Sequence, residues 1–221
     1  MRPNRTRKQP WRGVLAGLGL AASTAACADL LQVVGSGDHE QLQTLLHAGV
    51  AVDQRDARGN TALLLATARN DIDAARQLIE AGADVNAKNA IHDSPYLLAG
   101  AEGRLEILEL TLAHGADLKS TNRYGGTALI PACERGHVAV VARLLKAGVD
   151  PDHINNLGWT GLLEAILLSD GGPDHQAIVT LLIDAGAKVD LADRNGVTPL
   201  QHARERGQQA IVERLLAAGA H

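Results

Sequence analysis

GGTALIPACERGHVAVVARLLKAGVD, residues 125–150, holds two short helices and the turns that separate them. Gly125 and Gly126 supply a tight turn, and the Thr127 hydroxyl is placed to cap a first helix. Gly136 breaks that helix. Val138, Val140, Val141, Leu144 and Leu145 then recur as one apolar helical face, and the second helix stops at Gly148. Helices this short cannot bury an apolar stripe alone, so the stretch requires neighbours of its own kind.

The sequence supplies them. Five related hexapeptides, TALLLA from Thr61, SPYLLA from Ser94, TALIPA from Thr127, TGLLEA from Thr160 and TPLQHA from Thr198, start 33, 33, 33 and 38 residues apart. The helix-ending glycines Gly49, Gly82, Gly115, Gly148, Gly186 and Gly219 keep steps of 33, 33, 33, 38 and 33. Two markers with the same excess place one five-residue insertion in the fifth unit, at about Ser169 to Pro173. It is expected to lengthen the turn between that unit's helices. Such an insertion either adds a contact surface or is a tolerated excursion, and its Gly- and Asp-rich make-up favours the second.

This pattern resembles the ankyrin family, whose units read approximately DxxGxTPLHxAxxxGHxEVVxLLLxxGADVN. The likeness is clearest in residues 125–150 and in NGVTPLQHARERGQQAIVERLLAAGA from Asn195, and it covers about residues 29–221. It implies an all-α solenoid of six helix–turn–helix units with projecting β-turn fingers, at about 29–55, 56–88, 89–121, 122–154, 155–192 and 193–221. The first unit lacks the hexapeptide and reads as an N-terminal cap. In the last, Glu205, Arg206, Gln208, Gln209, Glu213 and Arg214 give the polar surface of an exposed end. The resemblance further implies a concave groove that binds a protein, and a monomer. Similarity to exported bacterial members implies as partner a resident enzyme that is protected, or a toxin that is neutralised.

The first residues carry a different signal. Arg2, Arg5, Arg7, Lys8 and Arg12 precede an apolar run from Gly13 to Ala22 and small residues from Ser23 to Ala28. This is the layout of a secretory signal peptide over residues 1–28, and the run is too short to span a membrane. Ala26–Cys27–Ala28 offers a cleavage site before Asp29. Cys27 also admits a lipid-anchored reading, which Thr24, standing where such signals carry an aliphatic residue, fits poorly. The expectation is a periplasmic or secreted protein, at the membrane only if lipidated at Cys27.

Loss of the leader leaves 16 basic against 25 acidic residues, a formal charge of −9, which disfavours a phosphate backbone and with it nucleic acid. Of the two cysteines only Cys133 would remain, so no internal disulfide can form.

No catalytic or metal-binding signature stands out, and no cofactor is expected. Cys133 reads as a buried, inert thiol and His137 as the structural His of the turn. The informative residues are those the repeat does not require. The fingers carry Ile91 and Asp93, then Arg123 and Tyr124, then Leu157 and Trp159, and three aromatics, Tyr96, Tyr124 and Trp159, fall in units three to five. Such residues are usual anchors of binding hot spots. The residue before each hexapeptide's Ala runs Leu65, Leu98, Pro131, Glu164, His202. Glu164 and His202 either pair beside the groove or face solvent. Glu134 and Arg135 complete the candidate surface. A small-ligand receptor or enzyme built on Glu134, Arg135, Asn155, Asn156, Glu164 and His202 is the alternative, disfavoured because a shallow groove rarely encloses a small ligand.

Overall fold

A computed structural model describes residues 29–221. The expected leader, residues 1–28 with Cys27, lies outside them. Twelve helices follow in six pairs: α1 (Leu30–Ser36) and α2 (His39–His47), α3 (Ala62–Arg69) and α4 (Ile72–Glu80), α5 (Pro95–Ala101) and α6 (Leu105–Ala113), α7 (Leu129–Glu134) and α8 (Val138–Ala147), α9 (Gly161–Leu167) and α10 (Pro173–Asp184), α11 (Pro199–Glu205) and α12 (Gln209–Ala217). Each first helix packs on the first helices of its neighbours and each second helix on the second, giving two parallel rows. The fold is the all-α solenoid that the repeat demands.

One continuous core runs between the rows. Leu63, Leu129, Leu162 and Leu200, from the third position of successive hexapeptides, are buried, as are Leu78, Leu144, Leu182 and Leu215 of the second helices. Burying each such side chain contributes roughly 2 kcal/mol. Tyr96 stands in the same hexapeptide column and is fully buried. It is a core residue, which corrects its placement among the contact aromatics.

Helix starts follow the hexapeptide, with one exception. The hydroxyls of Thr61, Ser94, Thr160 and Thr198 each accept the backbone N–H three residues on, at 3.2 to 3.3 Å. Thr127 does not cap its helix, contrary to expectation, and its buried hydroxyl makes no hydrogen bond. Pro131 is the cause. In the other units the N–H four residues on donates to the capping residue's carbonyl, but Pro131 has none to give. The Ile130 N–H takes the Thr127 carbonyl instead, at 3.3 Å, and is lost to the hydroxyl. Thr160→Val therefore loses about 1 kcal/mol in urea denaturation, whereas Thr127→Val is neutral or stabilising. Equal losses would remove this account of the Pro131 turn.

The insertion is built into the stack rather than tolerated on its surface. Counted back from the closing glycines, Gln176 matches Val138, and α10 begins three residues earlier at Pro173. The extra residues thus extend a helix as well as a loop. His175 holds the position of His137, and its Nε2 bonds the Glu134 carbonyl at 2.9 Å. From the sixth unit, Gln208 Nε2 donates to the Ile166 and Ser169 carbonyls, and Arg206 also donates to Ser169. The inserted loop is thus tied to the sixth unit, and Leu168, the last residue before it, stands 48% exposed.

Candidate functional site

Five fingers share one hydrogen-bonding scheme. Asp56, Asn89, Asn122, Asn155 and Asp193 open them, and each side chain accepts the backbone N–H groups two and four residues on. This Asx-turn fixes the tip and explains the recurring amide or acid. Neighbouring fingers are tied by Ala90 N–H to the Arg58 carbonyl and Asn156 N–H to the Tyr124 carbonyl. The tips are therefore held in place before any partner arrives.

Between the fingers and the first helices of units three to five lies a cleft of about 390 Å³. Leu97, Leu98, Ile130 and Pro131 form apolar walls, while Tyr124, Leu157 and Leu168 stand exposed at its rim. Tyr124 is 57% exposed, and the Arg123 guanidinium lies 4.9 Å from its ring centre. That stacking stiffens the side chain without covering it.

The charges in the cleft fall into two sets. Arg123 pairs with Asp93 at 3.3 Å, and Arg135 pairs with Glu102. Glu134 and Glu164 have no cationic partner among the described residues. Glu164 is only 5% exposed, and its Oε1 accepts from Asn155 Nδ2 at 2.6 Å. Burial raises its pKa to about 7, the negative charge of Glu134 adds to that rise, and the Asn155 bond opposes it.

The candidate residues separate by position. Asp93, Tyr124, Glu134, Arg135, Leu157 and Glu164 all line this cleft. Ile91, 50% exposed, sits on its fingertip outside the lining. Trp159 is half-buried and also outside, with its backbone closing the finger on Asn155. Glu164 and His202 do not pair with each other, and neither simply faces solvent. Each bonds the opening residue of its own finger, Glu164 to Asn155 and His202 Nε2 to Asp193 at 3.0 Å. Asp193 is held below the usual carboxylate range by the Val197 N–H and then by His202.

Leu168 and the apolar walls were missed from the sequence. Leu98, Pro131 and Glu164 are successive members of one hexapeptide column, and that regularity is the signal that places them on one surface. Cys133 is buried, and desolvation pushes its thiol pKa well up, as an inert core cysteine requires. The His137 ring packs on Gly103 and burial lowers its pKa. No group of three or more His, Cys, Asp or Glu is placed to hold a metal among the described residues, and none of their helices is long and apolar enough to cross a membrane.

Paired helices in two rows, Asx-opened fingers and a cleft under the fingertips define an ankyrin-repeat architecture. The family of ankyrin repeats (3 copies) matches residues 30–122 and 96–193, and the chain belongs to it. A crystal structure of an ankyrin repeat domain from Acinetobacter baumannii AYE is 58% identical, covers 87% of this chain and 98% of its own, and superposes with a TM-score of 0.85. The ankyrin repeat protein EF0377 is 42% identical over 87% of this chain and 97% of its own, with a TM-score of 0.82. The ankyrin repeat protein YahD of Escherichia coli (strain K12) is 57% identical over 58 residues, 26% of this chain. That match spans 29% of YahD's length. Ankyrin repeats are protein–protein interaction modules, and this chain is built as one.

Proposed function

We propose that the protein binds a protein partner through the cleft of units three to five and does so in an exported compartment, the periplasm or outside the cell. One observation carries the site: Tyr124, Leu157 and Leu168, large and half-exposed, ring a cleft whose fingertips are already fixed by hydrogen bonds. Rigid, exposed apolar side chains around a partly polar depression are what a binding hot spot needs, because little conformational entropy is lost on contact. The basic, apolar and small-residue order of residues 1–28 supports the compartment. In that setting the partner is a resident enzyme under protection or a toxin under neutralisation.

The test is capture of partners by the tagged full chain expressed in its own host, beside Tyr124→Ala and Leu157→Ala. Each substitution weakens the retained partner by about 2 kcal/mol. Melting temperature stays within a few degrees of wild type, since both side chains stand free of the core. Undiminished retention by both variants removes the cleft from the function.

A further inference from the structure

The central cleft holds two acidic side chains beside apolar walls, and no cation among the described residues pairs with them. Its arginines are committed elsewhere, Arg123 to Asp93 and Arg135 to Glu102, each at the cleft's edge. What remains inside is Glu134, half-buried, and Glu164, almost fully buried yet part of the cleft lining. Only one oxygen of Glu164 is engaged, by Asn155, and no hydrogen bond from the described residues reaches the other. A buried carboxylate without a counter-charge is costly, and folds ordinarily supply the partner themselves.

We infer that the cleft receives one lysine or arginine side chain of the protein partner, its charge between Glu134 and Glu164 and its alkyl stem along Leu97, Leu98, Ile130 and Leu168. The inference rests on the reading that this cleft docks a protein. The stem and the head of such a side chain match the two kinds of surface present, apolar walls and an acidic interior. An acidic partner group is repelled, and a purely apolar one leaves both carboxylates uncompensated under cover. Asn155 fixes the Glu164 carboxylate in advance, so the incoming cation meets an oriented acceptor rather than a mobile one.

The groups facing Glu164 are Glu134 from α7, Asn155 from the finger and the neutral Cys133 thiol beneath. Burial and then the Glu134 charge raise its pKa, the Asn155 bond lowers it, and the balance leaves it high. A bound cation draws it down, so binding releases a proton and tightens as pH rises from 6 to 8.

N-acetyl-arginine amide, with the uncharged N-acetyl-citrulline amide as its near-isosteric control, is titrated into the full chain. Side-chain carboxyl and backbone amide signals are followed by NMR. The arginine probe lowers the Glu164 titration midpoint and shifts the amide signals of Glu134, Asn155 and Glu164, whereas citrulline leaves them in place. Glu164→Gln, which keeps the Asn155 acceptor and the fold, weakens the arginine probe at least tenfold. Equal effects of the two probes, an unmoved midpoint, or full binding by Glu164→Gln overturns the inference. Partner capture separates this from failure of the wider reading. Retention lost with Tyr124→Ala and Leu157→Ala but kept by Glu164→Gln and Glu134→Gln leaves the cleft as the docking site and removes the cation. Retention kept by all four removes the docking site itself.

Discussion

Gly100→Cys lowers the stability of the stack by about 3 kcal/mol in urea denaturation, at the upper end of what overpacking a close-packed core costs. A Cβ at Gly100 would lie 2.8 Å from the Ala128 Cβ and 3.0 Å from the Ala128 carbonyl oxygen. The oxygen belongs to the next unit's backbone and cannot swing away, so α5 and α7 must separate along their whole contact. One unit further on, the same position is Cys133, and its neighbour is not alanine but Gly161. There an added Cβ would sit 3.1 Å from the Cys133 Sγ. At these two junctions the bulkier residue stands opposite the smaller one. Ala128→Gly added to Gly100→Cys therefore recovers stability, with a coupling of at least about 1 kcal/mol over the summed single changes. Additive losses would mean that the two junctions are not matched in size. Gly115 sets the scale for a glycine of the other kind. Its φ of +83° lies over open space, so Gly115→Ala costs roughly 1 kcal/mol through the backbone alone.

The pairing of Gly100 with Ala128 and of Cys133 with Gly161 shows why the fold was legible and the junctions were not. A 33-residue period repeats the same physical requirement until its pattern is unmistakable, because every unit must bury the same stripe. Which residue of a facing pair is the larger changes from junction to junction, and neither hexapeptide alone records it. Tyr96 was legible in principle, since it occupies the column of Leu63, Leu129, Leu162 and Leu200, all buried. Reading it as an aromatic rather than as a column member misplaced it. Pro131 was equally readable, for its missing N–H lies four residues after Thr127, where the other units donate to the capping residue's carbonyl.

The candidate site was legible in its location and not in its pairing. Finger composition pointed to units three to five, and Asp93, Arg123, Tyr124 and Leu157 do share one cleft. Sequence spacing between units placed Glu164 near His202, either paired with it or facing solvent. The shorter link, nine residues back to the residue that opens the finger, governs both side chains, Asn155 for Glu164 and Asp193 for His202. That rule depends on the aim of a first-turn side chain toward its own finger, which periodicity does not report. Trp159 lies outside the cleft for a related reason. It closes its finger at the position held by Gly126 in the preceding one and stands half-buried there, outside the cleft lining.

Glu164→Gln raises stability by roughly 3 kcal/mol at pH 8 and leaves it unchanged near pH 4. The folded protein holds the Glu164 proton up to about pH 7, against an ordinary value of 4.5, because burial and the adjacent Glu134 both disfavour the carboxylate. A raised folded pKa means that the unfolded chain gives up its proton first as pH climbs. The stabilising contribution of the protonated form is whole below pH 4.5, declines as pH rises toward 7, and is gone above it. Glutamine cannot ionise and still offers an oxygen to Asn155 Nδ2, so it keeps the low-pH contacts at every pH. The size follows from displacing one proton equilibrium from 4.5 to about 7, which is roughly 3 kcal/mol. Glu134→Gln, which removes the second cause and not the first, captures a smaller part of the gain. Urea midpoints of the three proteins from pH 4 to pH 8 decide the matter. Parallel curves for wild type and Glu164→Gln would mean that Glu164 is already compensated within the chain. Diverging curves mean that the fold carries an uncompensated acid at neutral pH. The variant most stable in isolation is then the one that has given up the charge a basic partner side chain would meet.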